Sequence, residues 1–263
     1  MDTRVNKKRN SNNSNKVQII NIFVDNLTMN DALQKIKELA QSGVNSYVLT
    51  PNVDHIVRLE NDKEFKEIYE NADLVLPDGK PLIWISKLFS TPLKDKISGS
   101  DLFPKVCELA SKNGFSIYLL GAAEGVATKA AFNLKRKFPD LIISGTFSPK
   151  LGFETDSEEL GRIFENVKAA KPDILILGLG CPKQEKFFFK YRTNLNVPLA
   201  LHFGASIDFE AGVIKRAPKW MSCIGLEWLF RFFQEPNRLF KRYFIDDMKI
   251  FSLMWKYRKS AIR

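Results

Sequence analysis

Asp78 stands between Pro77 and Gly79, directly after the apolar run Leu74-Val75-Leu76. A carboxylate fixed in such a turn can take a proton from a hydroxyl group. An aspartate there can also do no more than shape its own turn, and the local sequence leaves both readings open. Three other polar loops follow apolar runs in the same way: Thr50-Pro51-Asn52, Gly121 to Gly125, and Gly178 to Gln184. Thr50 and Asn52 offer hydrogen bonds to a sugar or a phosphate, although Asn52 equally suits the N-cap of a helix starting at Val53. The Gly121 loop presents helix N-terminal amides that can meet a diphosphate, but it lacks a full GxGxxG and is no dinucleotide fingerprint. The loop through Gly178, Gly180, Lys183 and Gln184 adds a cation and an amide to a second glycine turn. A plain strand-to-helix turn is the alternative there.

Other chemistries find little footing. There is no GxxxxGK[ST] phosphate loop, no GxSxG nucleophile elbow and no Asp-x-Asp pair for a nucleotide-bound metal. His55 and His202 are the only histidines, far apart and without ligand-like sequence neighbours, so no histidine metal site is expected. Cys107, Cys181 and Cys223 form no CxxC pair, which fits a reducing compartment better than a zinc site or a disulfide framework.

The elements that must position these loops alternate between strand and helix. Strands are expected at Val17–Val24, Tyr47–Leu49, Asp73–Leu76, Phe115–Leu120, Leu141–Gly145, Asp173–Leu177 and Pro198–Phe203. Thr28 to Asp31 reads as a capping box opening a helix that runs to about Gln41. Further helices are expected near Val53–Leu59, Asp62–Asn71, Ser100–Asn113, Gly125–Lys137, Ser157–Ala170 and Gln184–Tyr191. Strands apolar throughout, alternating with helices, specify an α/β fold: a Rossmann-like, doubly wound, mainly parallel sheet covered on both faces. Ligands of such sheets sit beyond the carboxyl ends of the strands, where all four polar loops fall, so the four are expected to line one cleft.

The chain of 263 residues has a formal net charge of +10, and the excess is concentrated at one end. From Gly212 to Arg263 there are twelve basic residues against four acidic ones. Aromatic residues are interleaved with these cations, among them Trp228, Phe233, Phe240, Phe251 and Trp255. That composition suits a helix lying in an anionic membrane interface. It also suits completion of the protein's own core, an oligomer contact, or stacking on nucleic acid. No apolar run reaches the ~20 residues of a spanning helix. Residues 1–16 are polar and Asn-rich, without the apolar core of a signal peptide, and a disordered arm is expected there. The expected division is therefore an arm at 1–16, a Rossmann-like domain at 17–211, and a C-terminal, membrane-associating helical appendage at 212–263.

Taken in order, these motifs resemble the WecG/TagA/CpsF family of bacterial glycosyltransferases (glycosyltransferase family 26), from about Val17 to Tyr243. The resemblance is carried by Thr50-Pro51-Asn52, Pro77-Asp78-Gly79, Gly99-Ser100-Asp101-Leu102, Gly178-Leu179-Gly180 with Pro182-Lys183-Gln184-Glu185, Phe203-Gly204-Ala205, and Ala217-Pro218-Lys219-Trp220 through Gly225-Leu226-Glu227-Trp228. It implies inverting transfer of a sugar, often N-acetylmannosamine or its uronic acid, from a UDP-sugar to a polyprenyl-diphosphate-linked saccharide. The implied setting is the inner face of the bacterial cytoplasmic membrane, in synthesis of wall or surface polysaccharide. It implies Asp78 as base, a pocket lined by Thr50, Asn52 and Gln184, and an appendage that helps to close the site. Two residues depart from the pattern. Lys96 stands where an arginine is common, keeping the charge but losing the bidentate fork, and Cys223 replaces an expected polar or basic residue. Inverting transfer without a metal needs glycine-turn amides and cations around the leaving diphosphate, for which Lys96, Arg216 and Arg231 are the candidates. No metal, no cofactor and no nucleic-acid partner are expected, and a self-associating enzyme is compatible with the aromatic tail.

Overall fold

The computed structural model describes residues 15–43 and 45–258. The expected arm lies outside the described residues up to position 14, and Lys16 already belongs to the first strand. Eight strands are described: β1 (Lys16–Ile19), β2 (Ile22–Asp25), β3 (Ser46–Leu49), β4 (Leu74–Val75), β5 (Ser116–Gly121), β6 (Ile142–Phe147), β7 (Ile174–Gly178) and β8 (Leu199–His202). Between them run α1 (Met29–Ser42), α2 (Val53–Leu59), α3 (Lys63–Glu70), α4 (Lys80–Leu88), α5 (Gly99–Asn113), α6 (Val126–Lys137), α7 (Ser157–Ala170) and α8 (Lys183–Leu195). After β8 come α9 (Ser206–Ala211), α10 (Lys219–Cys223), α11 (Glu227–Gln234), α12 (Pro236–Lys241) and α13 (Ile250–Tyr257).

Six strands form one parallel sheet in the order β4-β3-β8-β7-β5-β6. The side-chain period of two sends alternate residues into two separate cores. Tyr47, Leu49, Leu175 and Leu177 join one cluster, while Val48, Ile174 and Ile176 join the other. Both faces are thus covered, and the apolar strands need no polar side. The fold is α/β and Rossmann-like, as the alternation of elements requires. From β3 the chain steps to the edge strand β4, then crosses to β5 on the other side of the sheet. That reversal is where a doubly wound sheet opens a crevice.

The expected strand over Val17–Val24 is instead a separate antiparallel hairpin, with Ile19 opposite Ile22. Ile20 turns the chain at φ 58, a conformation that β-branched residues seldom adopt. Tertiary contacts hold it: Ile20 is buried, and Asn21 Nδ2 donates to the Ile56 carbonyl and to Glu60. The helix caps follow local chemistry. Thr28 closes its capping box with Asp31, and Asn52 caps α2. Among the described residues no helix is long and apolar enough to cross a membrane.

Candidate active site

Asp78 sits just past the end of β4. Its backbone N–H donates to the Pro51 carbonyl at 2.8 Å, and the preceding carbonyl, of Pro77, accepts from the Ile97 N–H at 2.8 Å. Gly79, at φ 94, then turns the chain into α4, with Pro81 in the helix's first turn. A non-glycine residue is strained at that φ, and proline is at home at a helix start. The aspartate is therefore fixed between strand, loop and helix.

It lines a cavity of about 550 Å³ beyond the carboxyl ends of β3, β4 and β8. Asn52, Lys96 and Arg231 line the same cavity, joined by Glu227 and Arg242. Burial pushes the Asp78 carboxyl up, Glu227 adds to the rise, and Lys96 and His55 oppose it, leaving it at about 7. A carboxylate at that value is poised to exchange a proton near neutrality.

The cations around it are held by carboxylates. Lys96 Nζ is 2.7 Å from Asp101 and 3.9 Å from Glu227. Arg216 and Ser98 also bond Asp101. Burial works against ionising Asp101, but these partners prevail and bring it down to about 2. Arg242 donates to Asn52 Oδ1 at 3.2 Å and lies 3.9 Å from both Asp54 and Asp247. Burial raises Asp247 to about 6 despite Arg242. Arg231 lies over the Phe209 ring, 5.5 Å from its centroid. Arg231 Nε and Arg242 Nε are both buried without a hydrogen-bond partner among the described residues. Both residues line the cavity, where their charge can meet an anion.

The four loops do not all reach the cavity. Asn52 and Asp78 do; Thr50, Gly121, Gly178, Gly180, Gln184 and Arg216 are absent from its lining. Thr50 is buried and donates its hydroxyl to the His202 carbonyl. Gln184 is buried one layer back, accepting from the Gly204 N–H and donating to Glu185. Gly121 and Gly178 are glycines for packing: a Cβ on Gly121 would lie 2.5 Å from the Gly178 carbonyl carbon, and one on Gly178 would meet Ile207 at 2.6 Å. Arg216 is exposed and donates to Asp101 and Ser100.

His55 has more company than its sequence neighbours promise. Its Nδ1 is 2.8 Å from Asn52 Oδ1, and its Nε2 is 3.8 Å from Glu185. Glu185 is fully buried, which opposes its charge, yet His55, His202 and Gln184 keep it below the usual carboxylate range. Asp54, His55 and Cys181 come within ligand distance of one another. The donor set does not suit a divalent cation: Arg58 and Arg242 already neutralise Asp54, and burial drives the Cys181 thiol far upward. Sequence reading did not single out Arg242, Asp54 or Asp247, nor the place of Glu227 on the cavity. Glu227 lay inside a quoted motif, whereas Arg242 was one cation among many in the tail.

The profile of the glycosyl transferase WecG/TagA/CpsF family matches residues 17–263. The chain belongs to the WecG/TagA/CpsF family. Relatives of this family member include N-acetylglucosaminyldiphosphoundecaprenol N-acetyl-beta-D-mannosaminyltransferases. One from Bacillus spizizenii is 31% identical over 193 residues, 73% of each chain. One from Bacillus subtilis is 28% identical over 202 residues, 77% of each chain. One from Staphylococcus aureus is 26% identical over 229 residues, 86% of this chain and 88% of the relative. As a member of the WecG/TagA/CpsF family the chain is a glycosyltransferase, and the cavity at Asp78 is the candidate seat of its chemistry.

Proposed function

We propose that this glycosyltransferase moves N-acetylmannosamine from a UDP-linked donor to a polyprenyl-diphosphate-linked N-acetylglucosamine, with inversion, using Asp78 as general base. The acceptor and sugar follow the names of the relatives. The observation that carries the mechanism is the fixed Asp78 carboxyl, raised to about 7 on a cavity bordered by cations. Asp78 takes the proton of the acceptor hydroxyl as its oxygen attacks the anomeric carbon. The bond from that carbon to the diphosphate oxygen breaks on the opposite side, and its electron pair leaves with UDP. Lys96 and Arg231 stabilise the charge that develops there, in a setting where preorganised cations count most. Asn52, gripped by His55 and Arg242, orients the sugar. This division of labour calls for no metal.

The appendage from Gly212 supplies Glu227, Arg231 and Arg242 to the cavity and so completes the site. Its outer surface carries Trp220, Phe233, Phe240 and Trp255, all more than half exposed. Beside them stand Lys219, Lys241 and Lys249. A lipid-linked acceptor brings that surface to an anionic bilayer, which supports a peripheral enzyme on the inner face of the cytoplasmic membrane. The test is UDP release from a panel of UDP-sugars, in EDTA, with a short-chain polyprenyl-diphosphate N-acetylglucosamine. Acceptor-dependent release with UDP-N-acetylmannosamine is expected. Release with UDP-glucose or UDP-glucuronic acid alone would redirect the donor assignment, and release that needs a divalent cation would overturn the metal-free mechanism.

A further inference from the structure

The charged groups of the cavity, Asp78, Lys80, Lys96, Glu227, Arg231, Arg242 and Asp247, are joined by Asn52, three serines and Tyr243. Much of the remaining lining is apolar. α4 begins at Lys80, next to Asp78, and turns Trp84, Ile85 and Leu88 toward the cavity. Positions i, i+1 and i+4 form one helix face, and at 1.5 Å per residue that face extends about 12 Å away from the aspartate. α13 supplies a second wall with the same spacing: Ile250, Phe251 and Met254. Trp84, Leu88 and Phe251 are 52%, 69% and 62% exposed, so the apolar lining continues to the surface. Arg242 stands on the turn that leads into α13, bonded to Asn52 and 3.9 Å from Asp54 and Asp247, and it lines the cavity. A cation and an apolar wall are thus contiguous.

The aliphatic side chains of these walls, Ile85, Leu88, Ile250 and Met254, offer the hydroxyl and phosphate oxygens of a nucleotide sugar no hydrogen-bond partner. A molecule with a diphosphate at one end of a hydrocarbon matches both parts. We propose that the face formed by α4 and α13 is a binding slot for the first isoprene units of the acceptor lipid, with Arg242 at its inner end for the attached diphosphate. The slot rests on the acceptor reading given under Proposed function and adds to it where the lipid goes.

The test needs no sugar transfer. Trp84 and Trp228 line the cavity, so their fluorescence reports binding when the full chain, free of vesicles, is titrated with farnesyl diphosphate or with isopentenyl diphosphate. Each buried methylene adds affinity, and the wild type is expected to prefer farnesyl diphosphate by about tenfold or more. Leu88→Asn and Leu88→Trp, at an exposed position that tolerates change without unfolding, should cut that preference to within about twofold. Equal affinity for the two ligands in the wild type overturns the slot, as does a preference that survives both substitutions. A preference that varies with protein concentration makes the face a contact between copies and overturns the proposal. Because binding is read directly, failure of the slot and failure of sugar transfer remain distinguishable.

Discussion

Replacing Asp78 by asparagine should stabilise the protein in a pH-dependent way. The carboxyl lies at about 7 in the folded chain against 3.8 for the free group. The folded state therefore holds the proton more tightly, and stability is lost as pH rises from about 4 through about 7. At 1.36 kcal/mol per unit, the raised value costs stability about 4 kcal/mol at pH 8, where both states are ionised, and about 2 kcal/mol at pH 5, where only the unfolded chain is. Asparagine removes the ionisation and leaves every other titrating group in place. Asp78→Asn should thus gain about 2 kcal/mol more over the wild type at pH 8 than at pH 5. Urea unfolding of both proteins at the two pH values measures it. A difference between variant and wild type that stays constant within about 0.5 kcal/mol would show that burial and Glu227 do not strain this carboxylate.

Three further outcomes follow from the same contacts. Glu227→Gln removes a negative neighbour that raises Asp78 and frees Lys96 to lower it; since the base must be ionised, the acidic limb of kcat/KM should move to lower pH by about half a unit to one unit. Gly121→Ala places a Cβ against the Gly178 backbone at a φ of +125 and should cost about 3 kcal/mol or more, read as a fall in the urea midpoint. Co-sedimentation with phosphatidylglycerol vesicles should weaken in Phe240→Glu and Trp255→Glu, both at exposed rings, and should decline with added salt; retention undiminished in both variants would place the membrane contact elsewhere.

Most of the sheet was legible because its strands obey simple rules. Ile174 to Leu177 and Leu199 to Leu201 are apolar throughout since both faces are covered, and Asn52 and Thr28 announced helix starts through local hydrogen bonds. Two elements were hidden. The β1–β2 turn at Ile20 carries no glycine, and its conformation is enforced by burial and by Asn21 reaching α2. α4 follows Pro77-Asp78-Gly79 and contains Pro81, which reads as a break; the proline instead occupies the first turn, where its missing N–H matters little. In the site, Asp78 and Asn52 were legible as polar residues at strand ends. Arg242 was not, since it meets Asn52 across 190 residues of sequence. His55 was set aside for want of neighbours, although Glu185 and Asn52 flank it in space. Gln184 and Thr50 have the chemistry of a pocket, and the structure adds partners that the sequence does not announce: Gly204 and Glu185 for the first, the His202 carbonyl for the second.

The decisive comparison is between wild type and Asp78→Asn, each given UDP-N-acetylmannosamine and a short-chain polyprenyl-diphosphate N-acetylglucosamine in EDTA, with the disaccharide product quantified and donor binding measured calorimetrically. Wild type should form the product, while Asp78→Asn should lose about 100-fold or more in kcat and still bind the donor. Equal turnover by the two proteins would remove Asp78 from the chemistry, and no product from the wild type with any polyprenyl-linked acceptor would contradict the assigned reaction.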